Sequence, residues 1–457
     1  MPGDTRFFSS TLILLLTIIP SDGFSQGDEH TKLVGQLDFG EYTSDIWGYT
    51  DTTTGIDYAL LGARGGMAII DATTDTANPT QVAYVTGVSS GWKDIKTWKN
   101  YSYLVSEGGG GLEIVDLSDP TSPVLIKNLT ADFTAAHNLY IDEGGFAYVV
   151  GANTIQGLII YDLTDPENPV NTGQWAVDRI HDVFVRDNIA WASMLNQGTI
   201  VVIDVSDKSS PTTITRWLQG SSTHQAWLTE DSNYLLVTEE RVGGHLKIWD
   251  VSDLYNITKV SEYESIPNII IHNVFVKGDF AYISYFVEGL KILDISDPVI
   301  PGEVGDFDIF PGSNFAFNGF AGAWGVFPYT SSGLIFVGDM EGSFTTARFD
   351  MYHIITGTDD EIPVVANKYS LDQNFPNPFN PETTLEYTLQ NSGEVSLIIY
   401  NLLGQEMTRL VNEVQQAGYH KVTWDASNFS SGIYFYRLQA GPPAGGFVRT
   451  RKMVLLK

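Results

Sequence analysis

The apolar positions of this 457-residue chain fall into short alternating runs, and a longer phrase recurs among them. The phrase reads Gly-Leu-x-Ile, an apolar residue and Asp, and Asp-Pro soon follows it. Six copies, some looser than others, end in an aspartate: Asp71, Asp116, Asp162, Asp204, Asp250 and Asp294. Successive aspartates are 42 to 46 residues apart, and a decayed seventh copy lies around Phe344–Arg348. A fixed period of this length, with proline turns that end each strand, predicts a β-propeller.

A second phrase marks the start of each repeat and counts the blades. Its first position is followed by a polar second position, an apolar third position and a mostly aromatic fourth position. The first positions are Ser44, Lys93, His137, His181, His224, His272 and Ala321. One repeat would contain the strands Asn273–Val276, Ala281–Phe286, Leu290–Ile295 and Glu303–Phe307. We therefore predict an all-β fold with a seven-bladed propeller, or six blades if the first or last unit is incomplete.

Charge and composition exclude several classes of function. The net charge is −30, so binding to nucleic acid or to an anionic membrane surface is disfavoured. The net negative charge lies before residue 363, because residues 363–457 carry 8 basic and 7 acidic side chains. This uneven distribution predicts two domains with different roles. The chain has no cysteine, which excludes disulfide bonds, thiolate metal sites and a cysteine nucleophile.

The first 26 residues have the pattern of a signal peptide. Arg6 precedes the apolar run Phe7–Pro20, and a polar stretch ending at Gln26 follows. The apolar run is shorter than the ~20 residues that span a bilayer. We therefore predict cleavage near Ser25 or Gln26, export of the chain and no transmembrane segment in the mature protein.

The C-terminal part predicts a small Ig-like β-sandwich. Its alternating strands are Thr384–Leu389, Glu394–Tyr400, Lys421–Trp424 and Gly432–Leu438. The run Asn-Phe-Pro-Asn-Pro-Phe-Asn-Pro begins at Asn374, Asn401-Leu402-Leu403-Gly404-Gln405 lies between strands, and Lys452–Lys457 closes the chain. These motifs resemble the type A C-terminal sorting domain of the type IX secretion system. The resemblance implies export by that machinery, which would recognise residues 371–457, followed by release or by attachment to the outer-membrane surface.

The repeats themselves resemble the LVIVD-repeat propellers, and more closely the choice-of-anchor B group of secreted bacterial proteins. The resemblance rests on the Gly-Leu-x-Ile phrases and on four histidine motifs, which are Ala136-His137-Asn138, Ile180-His181-Asp182, Thr223–Trp227 and Ile271-His272-Asn273. It implies a propeller at or outside the cell surface and implies no established activity.

Four of the eight histidines occupy the first position of consecutive blades, and this register suggests a shared role. Because the innermost strands line the channel, we expect the four imidazoles to meet carboxylates from the ends of second strands at one mouth. This predicts a site for a divalent transition-metal ion made by His137, His181, His224, His272, Glu107, Glu239 and Glu240. Alternatively, each histidine ties the loop between two blades by hydrogen bonds. If the imidazoles lie more than about 10 Å apart, one ion cannot bind them all.

The second and fourth positions have structural interpretations. The second position holds Asp45, Asp94, Asn138, Asp182, Gln225 and Asn273, which are expected to accept backbone hydrogen bonds. The aspartates that end the Gly-Leu-x-Ile phrases are expected to cap turns. The fourth position is aromatic in six blades, through Trp47, Tyr140, Phe184, Trp227, Phe275 and Trp324. Contacts between blades explain these aromatic residues, with a carbohydrate-stacking platform as the alternative.

The predicted organisation is a signal peptide (1–26), a propeller (31–353), a linker (354–370) and a sorting domain (371–457). Gly87–Gly91 matches the Gly-x-Ser-x-Gly nucleophile pattern but lies in a predicted loop between blades, so no catalytic residue is assigned. The leading prediction is a secreted or surface-attached propeller, exported through the periplasm, that binds a protein or a glycan. The alternative is a metal-dependent hydrolase or lyase that uses the histidine cluster.

Overall fold

The computed structural model describes residues 31–307, 321–340, 347–354, 370–371, 374, 376–389, 393–415, 418–440 and 447–456. The predicted signal peptide and almost all of the predicted linker lie outside these residues, as does Phe344 of the decayed repeat. The described part of the chain is all-β and contains 35 strands and no helix. Accordingly, it holds no helix of the length and apolarity that a membrane span requires.

Seven four-stranded antiparallel sheets follow one another between residues 31 and 354 and form the blades. Blade 1 contains the strands Thr43–Thr50, Asp57–Ala63, Gly66–Asp71 and Thr80–Thr86. Blade 2 contains Lys93–Trp98, Tyr101–Ser106, Leu112–Asp116 and Val124–Leu129. Blade 3 contains Asn138–Ile141, Phe146–Val150, Leu158–Asp162 and Val170–Trp175. Blade 4 contains the strands Asp182–Arg186, Ile189–Met194, Thr199–Asp204 and Thr212–Leu218. Blade 5 contains Thr223–Leu228, Tyr234–Glu239, Leu246–Asp250 and Thr258–Tyr263. Blade 6 contains Val274–Lys277, Phe280–Ser284, Leu290–Asp294 and Gly302–Phe307.

Blade 7 closes the ring with strands from both ends of the propeller. Its inner three strands are Gly322–Phe327, Ile335–Met340 and Ala347–Ile354, and its outer strand is Thr31–Phe39. The outer strand pairs antiparallel with Ala347–Ile354, and Gln36 donates a hydrogen bond to Asp350. The prediction of seven blades is confirmed, and this closure protects the edge that an open seventh blade would expose.

The blades are held together by apolar side chains that lie between neighbouring sheets. Leu60 and Ile69 of blade 1, for example, share one buried cluster with Leu104 and Val115 of blade 2. The fourth strands of blades 1 to 6 are exposed or half-buried along most of their length, as in Val124–Leu129. Burial is therefore greatest next to the channel and decreases outwards, so the inner strands gain the most hydrophobic stabilisation.

Two predicted hydrogen-bond roles are confirmed. The aspartates that end the third strands accept a backbone N–H two residues later, as Asp116 does from Ser118 at 2.8 Å. Three of the six second-position side chains accept a backbone N–H from the third position of the next blade, whereas Asn138 donates to the side chain of Asp182. The observed pairs are Asp45 with Ile95, Asp94 with Leu139, and Gln225 with Val274.

The C-terminal region forms two sheets that enclose one apolar core. One sheet contains Ser370–Leu371, Glu382–Leu389 and Gly418–Asp425, and the other contains Glu406–Gln415, Gly393–Asn401, Gly432–Ala440 and Phe447–Leu455. The core includes Leu385, Leu397 and Tyr436 from facing strands. The predicted sandwich is therefore present, with Glu406–Gln415 and Phe447–Leu455 as strands that the sequence pattern missed.

Candidate metal site at the mouth of the channel

The four first-position histidines form a continuous arc at one mouth of the channel. Each lies at or just before the innermost strand of its blade, from blade 3 to blade 6. The ring centroids are 4.1 Å apart for His137 and His181, 4.5 Å for His181 and His224, and 4.3 Å for His224 and His272. Consecutive imidazoles are thus close neighbours along the arc.

Trp324 continues the arc into blade 7, where the sequence had placed Ala321. The Trp324 ring lies 4.3 Å from the His272 ring, and Nδ1 of His272 is 2.5 Å from the Trp324 carbonyl oxygen. The assignment of Ala321 to the first position is therefore wrong. The register shifts between Ala323 and Gly325, and a β-bulge of this kind cannot be counted from sequence spacing.

Burial keeps three imidazoles of the arc neutral, those of His181, His224 and His272. Desolvation lowers the pKa of His181 and His224 well below the ordinary value, and the charges of neighbouring imidazoles lower it further. Desolvation also lowers the pKa of His272 to about 4. The Nδ1 atoms of His181 and His224 are buried and have no hydrogen-bond partner among the described residues. A neutral imidazole offers one nitrogen lone pair, which is the form that binds a metal ion.

Glu240 brings a carboxylate against this arc. Its Oε2 lies 3.7 Å from Nε2 of His224, and its Oε1 lies 3.7 Å from Nε2 of His272. Its side chain is only 11% exposed, and among the described residues it has no lysine or arginine within ion-pair distance. Burial raises the pKa of Glu240 to about 8. A buried carboxylate without a cation is costly, so its position calls for a proton or a bound cation.

One subset of these residues has the spacing of a metal site. One ligand atom each from His181, His224 and Glu240 lies within 4.8 Å of the other two. Tetrahedral ligand atoms about 2.0–2.2 Å from one ion lie about 3.3–3.6 Å apart, so side-chain movements of about 1 Å would be needed to complete coordination. Two histidines and one carboxylate suit Zn²⁺ or Fe²⁺ and leave coordination positions open.

The other predicted ligands have different partners. Nδ1 of His137 lies 2.7 Å from Oε1 of Glu107, and this hydrogen bond lowers the pKa of Glu107. Glu239 is buried and forms ion pairs with Lys247 at 2.8 Å and with Arg241 at 3.1 Å. The structure therefore brings Glu240 to the imidazoles and directs Glu239 to two cations of its own blade.

Below the arc lies a layer of second-position side chains around one lysine. Nζ of Lys96 lies 2.5 Å from Asp94 and 3.4 Å from Asp45, and all three are buried. Desolvation raises the pKa of Asp94, and it raises that of Asp182 to about 7. The role of Lys96 was missed in the sequence analysis, because a single lysine at an otherwise aromatic fourth position looked like an exception.

The aromatic fourth positions form a third layer, which closes the channel. Ring centroids are 4.5 Å apart for Phe184 and Trp227 and 4.7 Å apart for Trp227 and Phe275. Phe327, and not the predicted Trp324, meets Trp47 in this layer at 4.9 Å. These rings are largely buried against one another, so the alternative of an open carbohydrate platform is wrong.

The cavity between the arc and the aromatic layer is small and partly open to solvent. It has a volume of about 40 Å³ and is lined by all four histidines, by second-position side chains and by Trp92. This volume accommodates an ion or a water molecule, since a water needs at least about 10–15 Å³. An organic ligand would have to lie above the mouth.

The two described parts define a β-propeller followed by a β-sandwich. A family model for the LVIVD repeat matches residues 92–131, 182–218 and 271–309, which correspond to blades 2, 4 and 6. A second family model, for the secretion system C-terminal sorting domain, matches residues 373–453. The chain therefore carries LVIVD repeats and a type IX sorting domain, which marks it for export to the cell surface or the extracellular space.

Solved structures show the same architecture at low sequence identity. The β-propeller domain of Cps50 (Swd1) from Myceliophteria thermophila has a TM-score of 0.50 and 10% identity, over 71% of this chain and 99% of that one. A fungal alcohol oxidase of the AA5 family, in complex with copper, has a TM-score of 0.53 and 9% identity, over 94% and 100%. At these identities the likeness shows the fold alone.

A third structure is PorZ, a surface component of the type IX secretion system of Porphyromonas gingivalis. It has a TM-score of 0.46 and 11% identity, and the match covers 88% of this chain. The chain spans 58% of the length of PorZ. A comparison with the curated proteins found no match.

Proposed function

We propose that this exported propeller binds one divalent transition-metal ion at the mouth of its channel, through His181, His224 and Glu240. The observation that carries the proposal is the mutual approach of three ligand atoms to within 4.8 Å. Two neutral imidazoles and one carboxylate supply the donor set of many Zn²⁺ and Fe²⁺ sites. The ion would also provide the positive charge that buried Glu240 lacks among the described residues.

The neighbouring side chains have supporting roles in this proposal. His272 holds the Trp324 carbonyl oxygen with Nδ1 and faces Glu240 with Nε2, so it orients the carboxylate. Asp45, Asp94 and Asp182 lie in the layer below the arc, where Lys96 neutralises part of their charge and burial raises the pKa of Asp94 and of Asp182. The hydrogen-bonding alternative applies most clearly to His272. Hydrogen bonding to the backbone of the next blade also opposes the fall in the pKa of His181, through His224, and of His224, through His272, although neither Nδ1 has a partner at normal hydrogen-bond geometry among the described residues.

Metal analysis of the exported protein tests the proposal. We expect about one equivalent of metal in the wild type after loading with Zn²⁺ or Mn²⁺, and loss of that metal in His181→Ala and in His224→Ala. His245→Ala is the matched control, since His245 is a partly exposed histidine that also faces two glutamates, Glu262 and Glu264. Equal metal content in all four proteins would refute the site.

Two broader functions of the propeller remain predictions. Binding of a protein or a glycan to the propeller is one of them. A hydrolase or lyase activity, in which the ion activates a water molecule, is the other. The small cavity volume favours an ion as the first occupant of the channel, and any larger ligand would contact the ion from outside.

A further inference from the structure

We propose that the mouth of the channel recognises a small anionic ligand whose carboxylate or phosphate group binds the metal ion and Arg179 together. This inference rests on the proposed metal site and names the class of ligand that the site takes. A uronic acid and a phosphate ester share this chemistry. The cation beside the arc is the guanidinium of Arg179.

Arg179 lies two residues before His181, in the loop that leads into the innermost strand of blade 4. Its side chain is exposed, and it has no ion pair or hydrogen bond among the residues that the structure describes. Its neighbour Asp178 is already engaged, by Arg216 at 4.0 Å and by Gln197 at 3.1 Å. Arg179 is therefore a guanidinium at the mouth that is available to a ligand.

Glu107 is the carboxylate that competes most directly for Arg179. The charge of Arg179 contributes to lowering the pKa of Glu107. Glu107 nevertheless makes its close contact with His137, and it forms no ion pair with Arg179 within 4.0 Å. An anion that binds the ion could therefore take up the guanidinium without breaking an existing ion pair.

The shape of the mouth indicates where the rest of the ligand lies. The cavity of about 40 Å³ takes the ion and one or two ligand atoms, but not a sugar ring. Trp92 lines the same cavity, is 38% exposed and contacts Trp324 edge-on with a centroid distance of 6.2 Å. An oxyanion could reach the ion while the body of the ligand stays above the mouth, beside this indole ring.

The local charge also differs from that of the whole protein. A divalent ion held by two neutral imidazoles and one carboxylate has a net charge of about +1, and Arg179 adds another. The nearest exposed carboxylate, Glu107, is hydrogen-bonded to His137. The protein as a whole has a net charge of −30 and therefore does not attract anions over a long distance. A positively charged mouth would bind small anions through direct contacts.

Calorimetric titration of the metal-loaded exported protein tests this inference. The probes are inorganic phosphate and glucuronate, with glucose as the uncharged sugar control. We expect at least one of the two anions to bind the loaded protein, no binding of glucose, and no anion binding by the metal-free protein. Arg179→Ala should weaken anion binding about tenfold or more, as loss of a charge-assisted hydrogen bond does.

Two further variants separate this inference from a general effect of charge. Arg216→Ala removes an arginine of the same blade that is paired with Asp178, and it should leave anion binding unchanged. Glu107→Gln removes the competing carboxylate, and it should strengthen anion binding. Metal content is measured in every variant, so that loss of the ion is not mistaken for loss of the anion.

The outcomes distinguish the two proposals. A wild type that holds no metal refutes the metal site, and with it the anion site. A wild type that holds metal but binds neither anion refutes the anion site alone. Equal anion affinity in Arg179→Ala, Arg216→Ala and wild type would also refute it. The anion that binds more tightly identifies the source of the oxyanion.

Discussion

Glu240→Gln separates a metal-binding role of the channel mouth from a purely structural one. Glutamine has almost the same shape as glutamate, so it fills the same space between the two Nε2 atoms that lie 3.7 Å from the carboxylate. It removes the negative charge that an ion would neutralise. We therefore expect the metal-free variant to be at least as stable as the metal-free wild type, because it no longer has to protonate, or bury in charged form, a carboxyl whose pKa burial raises to about 8.

The magnitude follows from the linkage between binding and unfolding. Free metal at 100 times its dissociation constant stabilises the folded state by about 2.7 kcal/mol. For a propeller of this size, 1 kcal/mol corresponds to about 2 °C in Tm, so the wild type should gain about 5 °C on loading. In Glu240→Gln the weaker site should give a gain of less than about 1 °C at the same metal concentration.

The assay is thermal unfolding followed by circular dichroism, with and without Zn²⁺, after removal of metal by a chelator. Glu264→Gln is the control, because Glu264 faces His245 outside the arc. It should keep the full gain on loading. An equal gain in wild type and Glu240→Gln would refute the reasoning, as would a metal-free variant that is much less stable than the metal-free wild type.

Three further predictions concern processing, closure and the buried lysine. The exported protein should begin near Gln26 and lack the segment from about Leu371, which N-terminal sequencing and intact mass will check; a 457-residue chain outside the cell would contradict this. Deletion of 31–39 should greatly reduce soluble yield, because it removes the outer strand of blade 7 and uncovers buried Tyr352, whereas deletion of 27–30 should not. Lys96→Met should destabilise the propeller by about 3–5 kcal/mol in urea unfolding, because Asp45 and Asp94 lose their buried cation, whereas exposed Lys259→Met should have little effect.

The repeat pattern was sufficient to predict the architecture because each blade uses the same local chemistry. The aspartate turns after the third strands, the proline turns and the apolar third positions recur at a fixed period, and each has one structural consequence. The sequence pattern did not reveal that Thr31–Phe39 completes blade 7, since an outer strand that is far away in sequence carries no repeat signal. It also misplaced the start of blade 7, where a bulge shifts Trp324 into the arc.

The candidate site could be predicted in outline but not in detail. The register of the four histidines is visible in the sequence, and the structure places them within 4.5 Å of one another in succession. The choice between Glu239 and Glu240 is not visible, because the strand ends at Glu239 and the direction of the next side chain depends on the turn that follows. The roles of Lys96 and Arg179 depend on which neighbours they meet, and single-residue patterns do not contain that information.

The asymmetry of the first position explains why an ion would lie off the axis of the channel. In blades 1 and 2 this position is occupied by groups that bond to the backbone: Ser44 contacts Lys93, and Nζ of Lys93 donates to the carbonyl oxygens of Arg64 and Val88. Blade 7 contributes the indole of Trp324. Only blades 3 to 6 offer nitrogen ligands, so a complete ring of ligands around the axis cannot form.

Blade 5 adds an oxygen ligand, the carboxylate of Glu240, to the incomplete ring of nitrogen ligands. Its second strand ends at Glu239, whose ion pairs with Lys247 and Arg241 anchor the start of the hairpin. The next residue, Glu240, donates its backbone N–H to the carbonyl oxygen of Ser222, at the entrance of the same blade. With its backbone fixed on both sides, the carboxylate of Glu240 is held against the imidazoles. The fixed hairpin thus makes the position between blades 4 and 5 the one place in the described mouth where nitrogen and oxygen ligands converge on a single ion.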